Sequence, residues 1–330
     1  MDPVRVGMIG AGRHANSVHF PSLAEIPEAR IDAVCDLDKE RLKATSDRYG
    51  IESRFVDYRQ MLKKVNLDVL YIIMAQDLIL PIVMYALRKR KHIFIEKPPG
   101  ADLRQTETMA REAKKNKCLT MVGFNRRFVP VLAKAKSIVE EMGEIIRCHA
   151  AYHKCVPSSG FPKGSPYKDF LTSDVIHAVD VLRWVGGEVK DVEGVVGRYY
   201  DEVPNSFNAM FRFRNGGIGT LDSCYATGGR VQTYEMHARG VSAYIDTSGA
   251  NGNQKAMILR EGQAYEQAEI LRSIDVDGSD KWHRCFGYYH ENLHFIRCIR
   301  ENKEPQTSIE DSTKTMEIVQ RILKSRQRSH

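Results

Sequence analysis

The stretch "VRVGMIGAGRHA" (residues 4–15) constrains the fold more than any other, because an apolar run stops abruptly on a glycine loop spaced G-x-G-x-x-A. Gly10 and Gly12 follow the run directly, and Ala15 takes the third position. Side chains must be small there: backbone N–H groups have to approach a pyrophosphate while the chain turns tightly into a helix. The loop therefore calls for a strand before it, a helix after it, and a dinucleotide against Gly10, Gly12, Arg13, His14 and Ala15. Alone, the spacing is a weak signal, and its context strengthens it. "IDAVCD" (31–36), "LDVLYIIM" (67–74), "HIFIEK" (92–97) and "LTMVGF" (119–124) are further short runs rich in β-branched and other apolar residues. Helical patterns separate them: "DKERLKATSDRYG", ending on Gly50, then "LPIVMYALRKR" and "DLRQTETMAREAKKNK". Apolar strands alternating with helices predict an α/β fold, a doubly wound Rossmann-type parallel sheet with right-handed crossovers.

The pattern changes after residue 124, and a chain of 330 residues is in any case long for one domain. Residues 1–124 read as a dinucleotide-binding domain and 125–330 as a second, α+β domain. The second domain starts with an amphipathic helix near 130–142, then a strand in "IIRCHAAYHK" and a Pro/Ser/Gly-rich loop at 157–167. An apolar helix follows at about 171–185, then strands from 191 to 262 with "RNGG" (214–217) as a hairpin turn, and helices at 286–302 and 309–325. This predicts a large, mainly antiparallel sheet, with the last helix packing back on the first domain. The seven cysteines are scattered without a C-x-x-C pair, which argues against a disulfide framework or a zinc site and fits reduced thiols in a cytoplasm. The net charge of +7 is spread along the chain. Its one dense basic run, the C-terminal tail, lacks interleaved aromatics, so no nucleic-acid partner is expected. The longest apolar stretch, 67–87, is broken by Gln76, Asp77 and Pro81, so no membrane span is expected.

Asp36 closes the second apolar run. A carboxylate there can accept both ribose hydroxyls of an adenosine and repels a 2′-phosphate, which favours NAD over NADP; the alternative is that Asp36 or Asp38 caps the helix beginning at Lys39. Arg13 keeps NADP open. Glu96 and Lys97 end an otherwise apolar strand, with Pro98 directly behind them. Ligands of open parallel sheets bind at the carboxyl ends of the strands, so the Lys97 ammonium should reach the crevice where a nicotinamide would lie. Pro98 would hold it in one backbone conformation through a cis Lys97–Pro98 bond. In the second half, the helix "LTSDVIHAVDVLRWV" is apolar nearly all round, yet carries Asp174, His177 and Asp180 broadly on one face. Buried polar groups need partners or water, so the cluster predicts a lined cavity.

Taken together, "GAGRHA", Asp36, "EKP" (96–98), "GFNRRFVP" (123–130), "HAVDVLRWVGG" (177–187) and the ending at 295–325 resemble the Gfo/Idh/MocA family, named for glucose–fructose oxidoreductase and inositol dehydrogenase. The resemblance covers essentially the whole chain. It implies that Lys97 is catalytic beside nicotinamide C4, that His177 is its partner, and that the substrate is a sugar, glycoside or cyclitol. It also implies that the second-domain sheet packs against another copy, giving a homodimer or homotetramer. Two departures stand out. Many members carry an aspartate four residues before the histidine, where this chain has Ser173, with Asp174 three before. The usual T-P-N-x-x-H after the fourth strand is here "AQDLIL", which leaves Ala75, Gln76 and Asp77 as weaker candidates beside the cofactor.

The chemistry expected is hydride transfer from a secondary alcohol. His177 acts as general base, Lys97 stabilises the developing alkoxide, and Asp174 or Asp180 orients the imidazole, with no metal required. Substrate contacts are expected from Lys97, Asn125, Tyr152, Lys154, Asp174, His177 and Asp180, with His153 and His290 as lesser candidates. Lys154, Lys163 and Lys168, beside Tyr167, either hook an acidic substrate or are simply solvated. Asn125 and Arg126 either touch ligand or position the domain junction. Two other activities use the same residues or fold: a redox-assisted glycosidase or lyase, and a non-catalytic dinucleotide sensor.

Overall fold

A computed structural model of the chain describes residues 2–156 and 169–329. It divides into two compact units, the first comprising Met1–Asn125 with Gly287–Lys314 and the second Arg126–Phe286 with Thr315–His330. The sequence placed a single break at 124/125; the structure adds a later segment, Gly287–Lys314, to the first unit.

The first unit is built on a six-stranded parallel sheet: β1 (Val4–Ile9), β2 (Ala29–Cys35), β3 (Ser53–Phe55), β4 (Val69–Ile72), β5 (His92–Glu96) and β6 (Thr120–Gly123). The strand order is β3-β2-β1-β4-β5-β6. The order reverses between β1 and β4, and a parallel sheet opens its ligand crevice at such a switch point. β3 was not foreseen: "SRF" is too short, and too polar at Arg54, to show as an apolar run. The helices end where their residues dictate. Asp38 caps Lys39–Tyr49 by accepting from the backbone of Glu40 and Arg41, and Gly50 closes it at φ 66°. On one face of the sheet, Tyr71 of β4 stacks on Phe94 of β5 at 4.6 Å, and Phe295 of helix Tyr288–Glu301 packs edge-on against Tyr71 and tilted against Phe94. All three are buried, each side chain contributing about 1.5–3 kcal/mol of burial. Thr307 finishes the β6 edge, its carbonyl accepting from Val122 N–H and its hydroxyl donating to the Val122 carbonyl, both at 2.8 Å.

The second unit is a nine-stranded sheet with one face covered by helices. Its strands are β7 (Arg147–Cys155), β8 (Val189–Arg198), β9 (Ser206–Phe213), β10 (Ile218–Cys224), β11 (Ala226–Ala238), β12 (Val241–Asp246), β13 (Lys255–Arg260), β14 (Glu269–Arg272) and β15 (Arg326–Ser329). Their order is β14-β13-β12-β11-β7-β10-β9-β8-β15, antiparallel except at β7–β10 and β8–β15. The expected turn at 214–217 joins β9 to β10, with Gly216 at φ 91°. Buried and exposed residues alternate along β9, as a half-covered sheet requires. Helices Pro130–Met142 and Ile176–Gly186 cover the buried face, and the second of these is buried along nearly its whole length.

Candidate active site

The dinucleotide end of the first unit is set by backbone geometry. Gly10 sits at φ 96°, and a Cβ there would lie 2.2 Å from the carbonyl oxygen of Ile73, so only glycine is accommodated. Gly12 has open space around it, and Arg13 and His14 are exposed. Beside the loop lies a cavity of about 410 Å³ lined by Gly10, Gly12, Asp36, Leu37, Arg41 and Val56 among others. Asp36 does not cap the following helix; Asp38 does. Instead one Asp36 oxygen accepts Ala11 N–H at 2.7 Å, and the other accepts Asp38 N–H at 2.9 Å and the Arg41 guanidinium at 3.2 Å. A carboxylate has about four lone-pair positions, so acceptor capacity remains for a ribose. The loop, the cavity and this carboxylate fit an adenine dinucleotide. Arg41, which sequence reading passed over, is the cation next to Asp36.

Lys97 is the first residue beyond β5, and its bond to Pro98 is cis, as expected. Glu96, directly before it, is buried and heavily bound. Its Oε1 meets His14 Nε2 at 3.1 Å and His19 Nε2 at 3.0 Å, while its Oε2 accepts the Lys97 backbone N–H at 3.2 Å. Its carbonyl accepts from the Gln76 amide at 3.0 Å. Gln76 is thus buried against the strand end, while Ala75 and Asp77 are exposed. His19 was missed; a histidine between Val18 and Phe20 on a buried turn is the signal that could have found it. Burial opposes ionisation of Glu96, but the two imidazoles outweigh it and hold the carboxyl well below its ordinary value. Burial would also lower His14, but Glu96 reverses that and holds it raised; for fully buried His19 burial wins, and it is lowered.

The ligand atoms of His14, His19 and Glu96 lie within 4.8 Å of one another, close enough for a metal. The hydrogen bonds favour another reading. The Asn292 amide donates to the Tyr288 carbonyl at 2.6 Å and to His19 Nδ1 at 3.3 Å, so Nδ1 accepts and Nε2 carries the proton toward Glu96. A metal would need that Nε2 lone pair.

In the second unit, a five-residue π-helical turn, Leu171–Val175, leads into helix Ile176–Gly186 and carries Ser173 and Asp174. The aspartate three places before the histidine therefore lies on the π-helical turn, just outside the regular helix that carries His177. His177 is 5% exposed. Asp174 accepts from Tyr225 Oη at 2.6 Å and Tyr152 Oη at 3.3 Å, and pairs with the Lys154 ammonium. Burial, with the Asp174 charge adding to it, pushes both phenols well above their ordinary range, so at neutral pH both are donors. Tyr225 escaped sequence reading, because only the β7–β10 pairing brings its strand end to Asp174.

Asp180 corrects an expectation. It is fully buried and bound in bidentate fashion to Arg127, at 2.7 and 2.6 Å, with Thr315 Oγ1 at 3.0 Å. It therefore anchors the helix instead of lining an open cavity. Asn125 is 1% exposed, and His153 Nδ1 accepts from Cys224 N–H at 3.2 Å. Lys163, Tyr167 and Lys168 lie outside the described residues.

Residues 4–124 match the profile of the oxidoreductase family with an NAD-binding Rossmann fold, and residues 132–243 match the GFO/IDH/MocA C-terminal domain. The chain belongs to the Gfo/Idh/MocA family and is an NAD-binding oxidoreductase. It is 29% identical to the uncharacterized oxidoreductase YrbE of Bacillus subtilis, covering 85% of this chain and 88% of that protein. It is 25% identical to the myo-inositol 2-dehydrogenase of Thermotoga maritima, over 93% of this chain and 92% of that one. A dehydrogenase structure from Chromobacterium violaceum superposes with a TM-score of 0.86 at 20% identity, covering 98% and 95% of the two chains.

Proposed function

We propose that the protein oxidises a secondary hydroxyl of a sugar, glycoside or cyclitol, and reduces the corresponding ketone in reverse. The observation that carries this reading is the place of Lys97: it is the first residue beyond β5, at the carboxyl end of a parallel sheet whose neighbouring β1 and β2 end in the glycine loop and Asp36. Similarity to a myo-inositol 2-dehydrogenase supports the substrate class. NAD, when bound, supplies the hydride acceptor at nicotinamide C4. His177 accepts the hydroxyl proton, and the Lys97 ammonium hydrogen-bonds the same oxygen and stabilises its developing charge. Asp174, fixed by Lys154, Tyr152 and Tyr225, positions the start of the His177 helix and presents acceptors to substrate hydroxyls.

The test is a panel of sugars, glycosides and cyclitols incubated with NAD and with NADP, read at the reduced-nicotinamide absorbance band. A flat response with both cofactors sinks the reading. Net reduced cofactor accumulates for a dehydrogenase and not for a redox-neutral lyase. Val195, Met210, Ile218, Tyr244 and Ile270 are exposed apolar residues on strands of the second-unit sheet, and they support self-association through it. Light scattering that returned a monomer mass would overturn that part.

A further inference from the structure

On the helix-covered side of the second-unit sheet, Arg126 and Arg230 each donate through Nη2 to one atom, Gln232 Oε1, at 2.9 Å. Each guanidinium also lies over the Phe286 ring, 5.3 Å from its centroid. Arg126 is 5% exposed and Gln232 fully buried, whereas Arg230 is exposed. Two cations are thus held side by side on a shared neutral acceptor. The amide oxygen accepts one hydrogen bond from each guanidinium and, unlike a glutamate at 232, adds no negative charge of its own. Two buried polar atoms beside it, Tyr234 Oη and Gln232 Nε2, have no hydrogen-bond partner among the described residues. Burial pushes the Tyr234 phenol up to about 12, and the charges of both guanidiniums oppose that rise. Buried donors without acceptors are costly, and an incoming anion would satisfy them.

Tyr152 joins this cluster to the residues around Asp174. It pairs across the sheet with Gln232, and its phenol feels both Asp174 and Arg126. Lys154 is committed to Asp174, so the lysine is not the anion hook that the sequence offered.

We propose that Arg126 and Arg230 form an oxyanion subsite, so that the preferred substrate is a polyhydroxylated molecule bearing a carboxylate or phosphate. The arginine fork suits such groups because it can donate two parallel N–H bonds to one oxyanion. The proposal rests on the alcohol-oxidation reading given above and narrows its substrate class.

The test uses matched pairs: methyl glucoside against methyl glucuronide for the carboxylate, and myo-inositol against an inositol monophosphate for the phosphate. The ratio of kcat/KM, charged over neutral, should exceed about tenfold for one pair and fall toward unity in Arg230→Gln, with Arg230→Glu inverting it. Equal or higher turnover of both neutral partners, or a ratio unmoved by Arg230→Gln, overturns the subsite. Calorimetry of the NADH complex with glucuronate and with inorganic phosphate separates the two proposals. Binding that weakens at least about tenfold in Arg230→Gln supports the subsite even if no member of the panel turns over, which would instead refute alcohol oxidation. No binding of either anion refutes the subsite.

Discussion

The π-helical turn Leu171–Val175 and the helix Ile176–Gly186 that follows carry two kinds of acidic chemistry, at Asp174 and Asp180, and substitution separates them. Asp180 and Arg127 have side chains 1% and 5% exposed and share two charge-assisted hydrogen bonds. Replacing one partner strands the other charge in a low-dielectric interior, at a cost of about 3–5 kcal/mol. Asp180→Asn retains one oxygen for Arg127 or Thr315, so the lower end of that range is expected. For a unit of this size, each kcal/mol shifts Tm by about 2–4 °C, which predicts a fall of roughly 6–12 °C by circular dichroism. The double replacement Arg127→Met/Asp180→Leu removes both charges and should melt near the wild type or above it. The double-mutant cycle would then show strong coupling. At 20 °C, Asp180→Asn should turn over within a few-fold of wild type, whereas Asp174→Asn should lose about two orders of magnitude in kcat with little change in Tm. The reasoning fails if Asp180→Asn costs less than about 1 kcal/mol, the value of an exposed pair. It fails equally if its kcat collapses while its Tm holds.

Three more outcomes follow from the first unit. Asp36→Ala should raise KM for NAD by about tenfold and lower it for NADP, because Arg41 stays in the pocket to meet a 2′-phosphate; unchanged cofactor preference would contradict the role given to both residues. Gly10→Ala should abolish NAD binding and lower stability by several kcal/mol, since the new Cβ meets the Ile73 carbonyl at a backbone conformation that favours glycine; fluorescence titration with NADH and a melt check it. Stability should fall on the acid side. The lowered value of His19 removes stability as pH drops below 6.5, and the depressed value of Glu96 removes more below 4.5. The raised value of His14 acts oppositely, its contribution being lost as pH climbs above 6.5. Urea midpoints from pH 2.5 to 8 should show that Glu96→Gln removes the fall below pH 4.5; an unchanged fall below that pH would refute the assignment.

The parts of the site that depend on local chain chemistry were readable in the sequence. The glycine loop needs small residues in fixed order, and the charged end of β5 interrupts an apolar run, so both announce themselves. What depends on distant pairing did not. Asp180 looked like a cavity residue because its partner, Arg127, is 53 positions away, and a buried carboxylate in an apolar helix has no local mark to tell pairing from exposure. The π-helical turn that carries Asp174 was not foreseen, because such a turn leaves no compositional trace. Arg230 and Gln232 gain meaning only once β11 is laid against β7, which sets Gln232 opposite Tyr152.

The same distinction explains why a glutamate precedes the lysine proposed to be catalytic. A lysine that must meet a reacting oxygen has to be held to within about 0.5 Å, and its own flexible stem cannot supply that. Glu96 supplies it from the backbone side. Its carboxylate receives His14 from the glycine loop and His19 from the turn that follows, and it accepts the Lys97 N–H. Its carbonyl receives Gln76, at the start of the helix after β4. Gly123, on β6, completes the enclosure, because a Cβ there would stand 2.8 Å from Glu96 Oε1. The loop that cradles the dinucleotide and the residue proposed to act beside it are thus tied to one buried carboxylate. A substitution at Glu96 should therefore disturb cofactor binding and turnover together, where one at Lys97 should disturb turnover alone.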